Sequence, residues 1–220
     1  MATIPETLAG TARWPTTGAA LVLLTGLVGC AGPTADQPDG PARPVEQVIA
    51  DAALAACVAT AAGLPDATGT ASDVDLDAIE EFHCDGQTSA RGPIRSLEGI
   101  QHLSALDVLD ARLALFDLGP SQNPISDLTP LTGTTTLNAL GVAAAQVTGI
   151  GPLAGHDALR VLDLSGNAIT DVSPLARLAT LDTLRLAQNG VVAPTPLGTV
   201  PTLLVLDVFS NRIGDVSGLA

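Results

Sequence analysis

The sequence predicts an α/β solenoid: a right-handed horseshoe of short parallel strands on its concave face, 3₁₀ or irregular segments on its convex side, and a small helical amino-terminal cap. Three observations predict it. Asn167, Asn189 and Asn211 recur every 22 residues, with leucine, isoleucine or valine at fixed offsets around each. Hydrophobic residues make up 46% of the 220, yet aromatic ones only 2% with no tyrosine, so a core must be assembled from thin repeated layers rather than large fillers. Ahead of the repeats the pattern becomes helical, with Leu54, Cys57, Val58 and Ala61 at i, i+3, i+4 and i+7.

In chain order, residues 1–29 read as a signal peptide. The run Gly18 to Gly29 is apolar for about a dozen residues, too short for the roughly 20 that cross a bilayer as a helix, and Arg13 places positive charge before it. It ends in Leu27, Val28, Gly29 and Cys30, which resembles the lipobox of bacterial lipoproteins. That resemblance implies a lipid-bearing Cys30 as the mature amino terminus, holding the chain on the outside of a bacterial cell membrane or on an outer membrane. The alternative is an ordinary secretory signal that contains a cysteine. Residues 30–44, rich in Pro, Gly and Asp, form the expected flexible tether.

Residues 45–82 are the expected cap, whose helix starts at Asp51 as N-cap and covers the otherwise open first strand. Residues 83–220 are the repeats. Three, five and eight residues before each Asn stand Leu164, Leu162 and Leu159, then Leu186, Leu184 and Leu181, then Val208, Leu206 and Leu203. Side chains alternate across a strand, so the first two of each set share its inner face, and stacking turns about 4.8 Å apart fuses them into one core. The Asn ends the strand, where its amide satisfies backbone groups left unpaired as the chain bends. Asn123, Asn167, Asn189 and Asn211 therefore form a ladder, interrupted at Ala145, where Ala145→Asn is expected to add about 1 kcal/mol. Pro130, Pro152, Pro174 and Pro196 fix φ on the convex side, and Asp127, Asp171 and Asp215 cap turn amides. One irregular, longer turn is expected between Leu103 and Asn123.

These turns, best shown by ITDVSPLARLATLDTLRLAQN, resemble the internalin-type leucine-rich repeats of bacteria, and ADAALAACVATAAGLPDA resembles the helical cap ahead of such repeats. The resemblance implies a leucine-rich-repeat solenoid that binds protein through its concave face. The candidate binding residues there are Asp163, Arg185 and Asp207, aligned as an acid-base-acid column, with Val205 and Phe209 beside them. Mutual neutralisation on a solvated sheet is the competing reading of that column, and packing against a following turn is an equal explanation of Val205 and Phe209.

A net charge of −14, with nine scattered arginines, excludes a nucleic-acid partner. His83, His102 and His156 stand apart from any metal-ligand or nucleophile spacing, so no metal, cofactor or enzymatic activity is expected. Cys57 and Cys84 are either a disulfide joining cap to first strand or two buried thiols. The expected function is that of a monomeric cell-envelope lipoprotein that binds a protein partner. The alternatives are a structural spacer within a longer surface protein and an intracellular regulatory subunit.

Overall fold

The computed structural model describes residues 42–84, 92–110 and 123–219, so the expected signal peptide, Cys30 and nearly all of the tether lie outside the described residues. The cap opens with β1 (Arg43–Pro44) and α1 (Val45–Val48), then α2 (Ala52–Ala61), β2 (Thr70–Ala71), which pairs antiparallel with β1, and α3 (Asp73–Asp77). The buried residues of α2 are Ala53, Leu54, Ala55, Val58 and Ala59, whereas Cys57 is half-buried and Ala61 exposed. The covered face is thus rotated from the predicted one, because alanines pack closely enough to be buried beside the leucine stripe.

Asp51 starts α2 as the sequence predicts, one carboxylate oxygen accepting from the amides of Ala53 at 2.9 Å and Leu54 at 3.0 Å. Its other oxygen accepts from the amides of Arg95 at 2.8 Å and Ser96 at 3.2 Å, which belong to the first turn of the repeats. One side chain therefore caps a helix and ties the cap to the solenoid. Asp51→Ala should cost about 2 kcal/mol in urea denaturation, and Asp51→Asn less, since it keeps one acceptor. Close by, Gly99 has φ +103°, and a Cβ there would lie 2.8 Å from the Val48 carbonyl oxygen and 2.9 Å from Ile49 Cα. Only glycine lets cap and first turn approach so closely.

The repeats contribute β3 (Glu81–His83), β4 (Val108–Asp110), β5 (Ala139–Gly141), β6 (Val161–Asp163), β7 (Thr183–Arg185) and β8 (Val205–Asp207), one parallel sheet in sequence order. Register places Phe82, Leu109, Leu140, Leu162, Leu184 and Leu206 opposite one another. From Leu140 onward the spacing is 22, but it is 27 from Phe82 to Leu109 and 31 from Leu109 to Leu140. Two turns are longer, not one; the first escapes a sequence reading because its extra residues, between Cys84 and Ile94, disturb no leucine column.

The inner column Leu109, Leu140, Leu162 and Leu184 is wholly buried, as are Leu137, Leu159 and Leu181 at the strand entry and Val142, Leu164 and Leu186 at its exit. On the far side, short 3₁₀ turns at Thr129–Leu131, Gly151–Leu153, Ser173–Arg177 and Thr195–Thr199 each carry proline at their start, where a missing N–H costs nothing. Asp127, Asp171 and Asp215 each accept the amide two residues on, at 2.8 Å. Backbone and hydroxyl donors from Ser173 and Ser217 hold the Asp171 and Asp215 carboxyls below the ordinary carboxylate range, and Thr129, hydroxyl before amide, does so for Asp127. A lowered carboxyl stabilises the fold above its ordinary range and stops doing so as pH falls through the lowered value.

Candidate functional site

The asparagine ladder repeats one geometry on either side of its gap at Ala145. Asn167 Oδ1 accepts from the Val147 amide at 3.0 Å while its Nδ2 donates to the carbonyls of Val142 at 2.8 Å and Leu164 at 2.9 Å. Asn189 repeats this on Ile169, Leu164 and Leu186, and Asn211 on Val191, Leu186 and Val208. Asn123 does the same across the longer turns, accepting from Ile94 and donating to Cys84. At Ala145 the N–H that an asparagine oxygen would take, that of Ile125, already bonds to the Asn123 carbonyl at 2.7 Å. Ala145→Asn therefore gains only its donor contacts, less than the column pattern implies.

A second ladder escapes the sequence reading. Thr136, Thr180 and Thr202 stand nine residues before the asparagine place. Their hydroxyls donate to carbonyls of the preceding turn: Leu106 at 2.7 Å, Leu159 at 3.0 Å and Leu181 at 2.9 Å respectively. The 22-residue spacing of Thr180 and Thr202 was the available signal; the gap in the series is Ala158. Ala158→Thr is expected to stabilise the chain by about 0.5–1 kcal/mol in thermal or urea unfolding. The residue just before the asparagine place is left-handed in successive turns, Ala144 at φ 52°, Gly166 at 69°, Gln188 at 56° and Ser210 at 54°, so the bend and not the residue type imposes that conformation.

These ladders fix the strands that carry the candidate face. Asp163, Arg185 and Asp207 are register partners, as the spacing predicts. Arg185 lies 3.8 Å from Asp163, whose side chain is 5% exposed, and among the described residues that is the ion pair Arg185 forms. Asp163 and Asp207 each also accept the amide two residues on, from Ser165 and Phe209. A neighbouring pair, Arg160 with Asp182 at 3.9 Å, adds alternating charge along the strand entries. Ala139, Gly141 and Asp163 are buried, so at β5 and β6 the outward positions offer little contact surface. Exposure is concentrated at β8, with Val205 at 46% and Phe209 at 72%.

Cys57 and Cys84 are bonded as a disulfide, Cα atoms 5.9 Å apart, between α2 and the residue following β3. His156 is buried in the column Thr134, His156, Leu178 and Val200, and His102 is exposed. No helix among the described residues is long and apolar enough to cross a membrane.

A leucine-rich-repeat family model matches residues 159–173 and 201–220. Among solved structures, an internalin from Listeria monocytogenes superposes with a TM-score of 0.71 and 26% identity over 80% of this chain, which spans about half, 48%, of the internalin. Internalin C2 from the same organism is 29% identical over 81% of this chain and 92% of its own, with a TM-score of 0.47. A plant peptide hormone receptor is 17% identical over 54% of this chain and 19% of its own, at 0.45. No curated protein sequence matches the chain.

Proposed function

We propose that this leucine-rich-repeat solenoid, similar in fold to a Listeria internalin, is a monomeric, non-enzymatic binding module that captures another protein on the bacterial cell envelope. The observation that carries the reading is the outward row of β7 and β8. Thr183, Arg185 and Ala187, then Val205, Asp207 and Phe209, alternate with buried or half-buried core residues and so point away from the core. An exposed phenylalanine in a chain nearly without aromatics is the natural anchor, since interface energy concentrates in such side chains. In this reading Cys30 carries the lipid that holds the module outside the membrane, and residues 30–44 give it reach.

The test is a pull-down from envelope extract or host-cell surface protein, repeated with Phe209→Ala and Arg185→Ala. Both variants should keep the fold while partner recovery falls at least tenfold; unchanged recovery would remove this face from the site. For the anchor, Cys30→Ala should shift the protein out of the membrane fraction. The burial of Ala139, Gly141 and Asp163 favours a second reading, a spacer in which the solenoid is mainly scaffold. That reading expects no partner whose capture depends on either residue.

A further inference from the structure

We propose that Asn189 and Gly190 form a spontaneous deamidation site which the folded ladder protects, so that a chain left unfolded is converted there to an aspartyl form that no longer refolds. In an Asn-Gly pair the glycine amide nitrogen attacks the asparagine Cγ. The new N–Cγ bond closes a cyclic imide, and the side-chain nitrogen leaves as ammonia, taking up the proton that the amide gives up. Water then opens the imide at either carbonyl, leaving aspartate or isoaspartate. Glycine favours the attack because no Cβ obstructs the nitrogen and the backbone turns freely. Of the five asparagines in the sequence, Asn189 alone precedes glycine; the others precede Pro124, Ala139, Ala168 and Arg212.

The fold holds both reacting groups in place. The Gly190 amide donates to the Ile169 carbonyl at 2.8 Å. The Asn189 carboxamide accepts from the Ile169 amide at 2.9 Å and donates to the carbonyls of Leu164 at 2.9 Å and Leu186 at 3.0 Å. Attack on Cγ requires the nitrogen to leave Ile169 and the carboxamide to leave the ladder, so it waits on the opening of this turn. Packing does not demand the glycine. Gln146, Ala168 and Arg212 fill the same place in other turns and make the same bond, to Ile125, Val147 and Val191. Gly190 is not left-handed, and a Cβ on it would meet the Thr170 methyl at 3.1 Å, which a small side-chain shift relieves, and the Ile169 oxygen at 3.4 Å. Conversion disables the rung. Aspartate sets an oxygen against the Leu164 and Leu186 carbonyls, and isoaspartate also lengthens the main chain by one carbon within the bend. Unfolding thereby becomes irreversible at this turn.

The experiment incubates the full-length chain, disulfide intact, either folded in buffer or unfolded in guanidinium chloride at the same pH and temperature. Peptide mass spectrometry and isoaspartate-specific enzymatic methylation follow conversion at each asparagine. In denaturant, conversion should fall on Asn189 ahead of the other four. In the folded chain it should be slower by roughly a thousandfold or more, because the unfolded fraction at equilibrium is about 10⁻³ or less. When the denaturant is removed, the share of chains that fails to regain the circular dichroism of the folded state should match the converted share. Gly190→Ala should slow conversion in denaturant by roughly tenfold or more and restore recovery. Equal conversion rates in the two states overturn the proposal, as do converted chains that refold with the stability of unconverted ones. If Gly190→Ala fails to fold, its conversion rate in denaturant and the two wild-type incubations decide.

Discussion

Asn189→Asp should destabilise the chain by about 3 kcal/mol or more in urea denaturation. The side chain of Asn189 closes three hydrogen bonds and shares a fourth contact. Its oxygen takes the Ile169 amide at 2.9 Å, and the two hydrogens of its nitrogen go to Leu164 at 2.9 Å and Leu186 at 3.0 Å, with Ala187 at 3.3 Å as a shared acceptor. Aspartate keeps the acceptor but turns a carboxylate oxygen toward carbonyl oxygens on two successive turns, so attraction becomes repulsion in a half-buried site. Asn189→Ala removes the repulsion but leaves the Ile169 amide and the carbonyls without their partner, at about 2–3 kcal/mol. The order, Asp worse than Ala, is the diagnostic result. If the two were equal, the ladder would be filling space rather than pairing backbone groups.

Removing the Cys57–Cys84 disulfide as Cys57→Ala with Cys84→Ala should lower stability by about 3.5 kcal/mol and Tm by roughly 10 °C. The bond spans 27 residues, and closing a loop of that length withdraws chain entropy from the unfolded state. Cys84 is wholly buried beside the first strand and Cys57 sits on α2, so the bond is the covalent joint between cap and stack. Polar ties between cap and stack among the described residues include the Asp51 carboxylate on Arg95 and Ser96, Asp77 accepting the Ser104 hydroxyl at 2.7 Å, and the Asp107 amide donating to the Glu80 carbonyl. Without the disulfide the cap should open first, which amide hydrogen exchange would show as lost protection in residues 52–61 before β5 to β7. Exchange that speeds up uniformly would mean that cap and repeats unfold as one unit.

The leucine columns, the asparagine places and the Asp turns were legible because each depends on a local period: alternation along a strand sets which side chains face inward, and a 22-residue interval brings like to like. The Asp51 cap was legible for a similar reason, since its two amide partners lie within three residues. Its second pair of partners was not. Arg95 and Ser96 are more than forty positions away and reach Asp51 only because Gly99 lets the cap close on the first turn.

The candidate face divides along the same line. Periodicity placed Asp163, Arg185 and Asp207 in one column, and the register agrees. Periodicity was silent on depth: it treats all outward positions alike, whereas Asp163 is buried and Phe209 open to solvent. Likewise the threonine ladder reads as three polar residues in loops until stacking brings each hydroxyl to a carbonyl of the turn before. By itself, then, the sequence determined the repeat, the identity of the core and the side of each strand, all consequences of fixed short-range geometry. The tertiary structure alone decided that the turn between Phe82 and Leu109 is longer as well, the partner of each hydroxyl and the exposure of each outward side chain. Those depend on which distant segments share a layer, and no single turn contains that information.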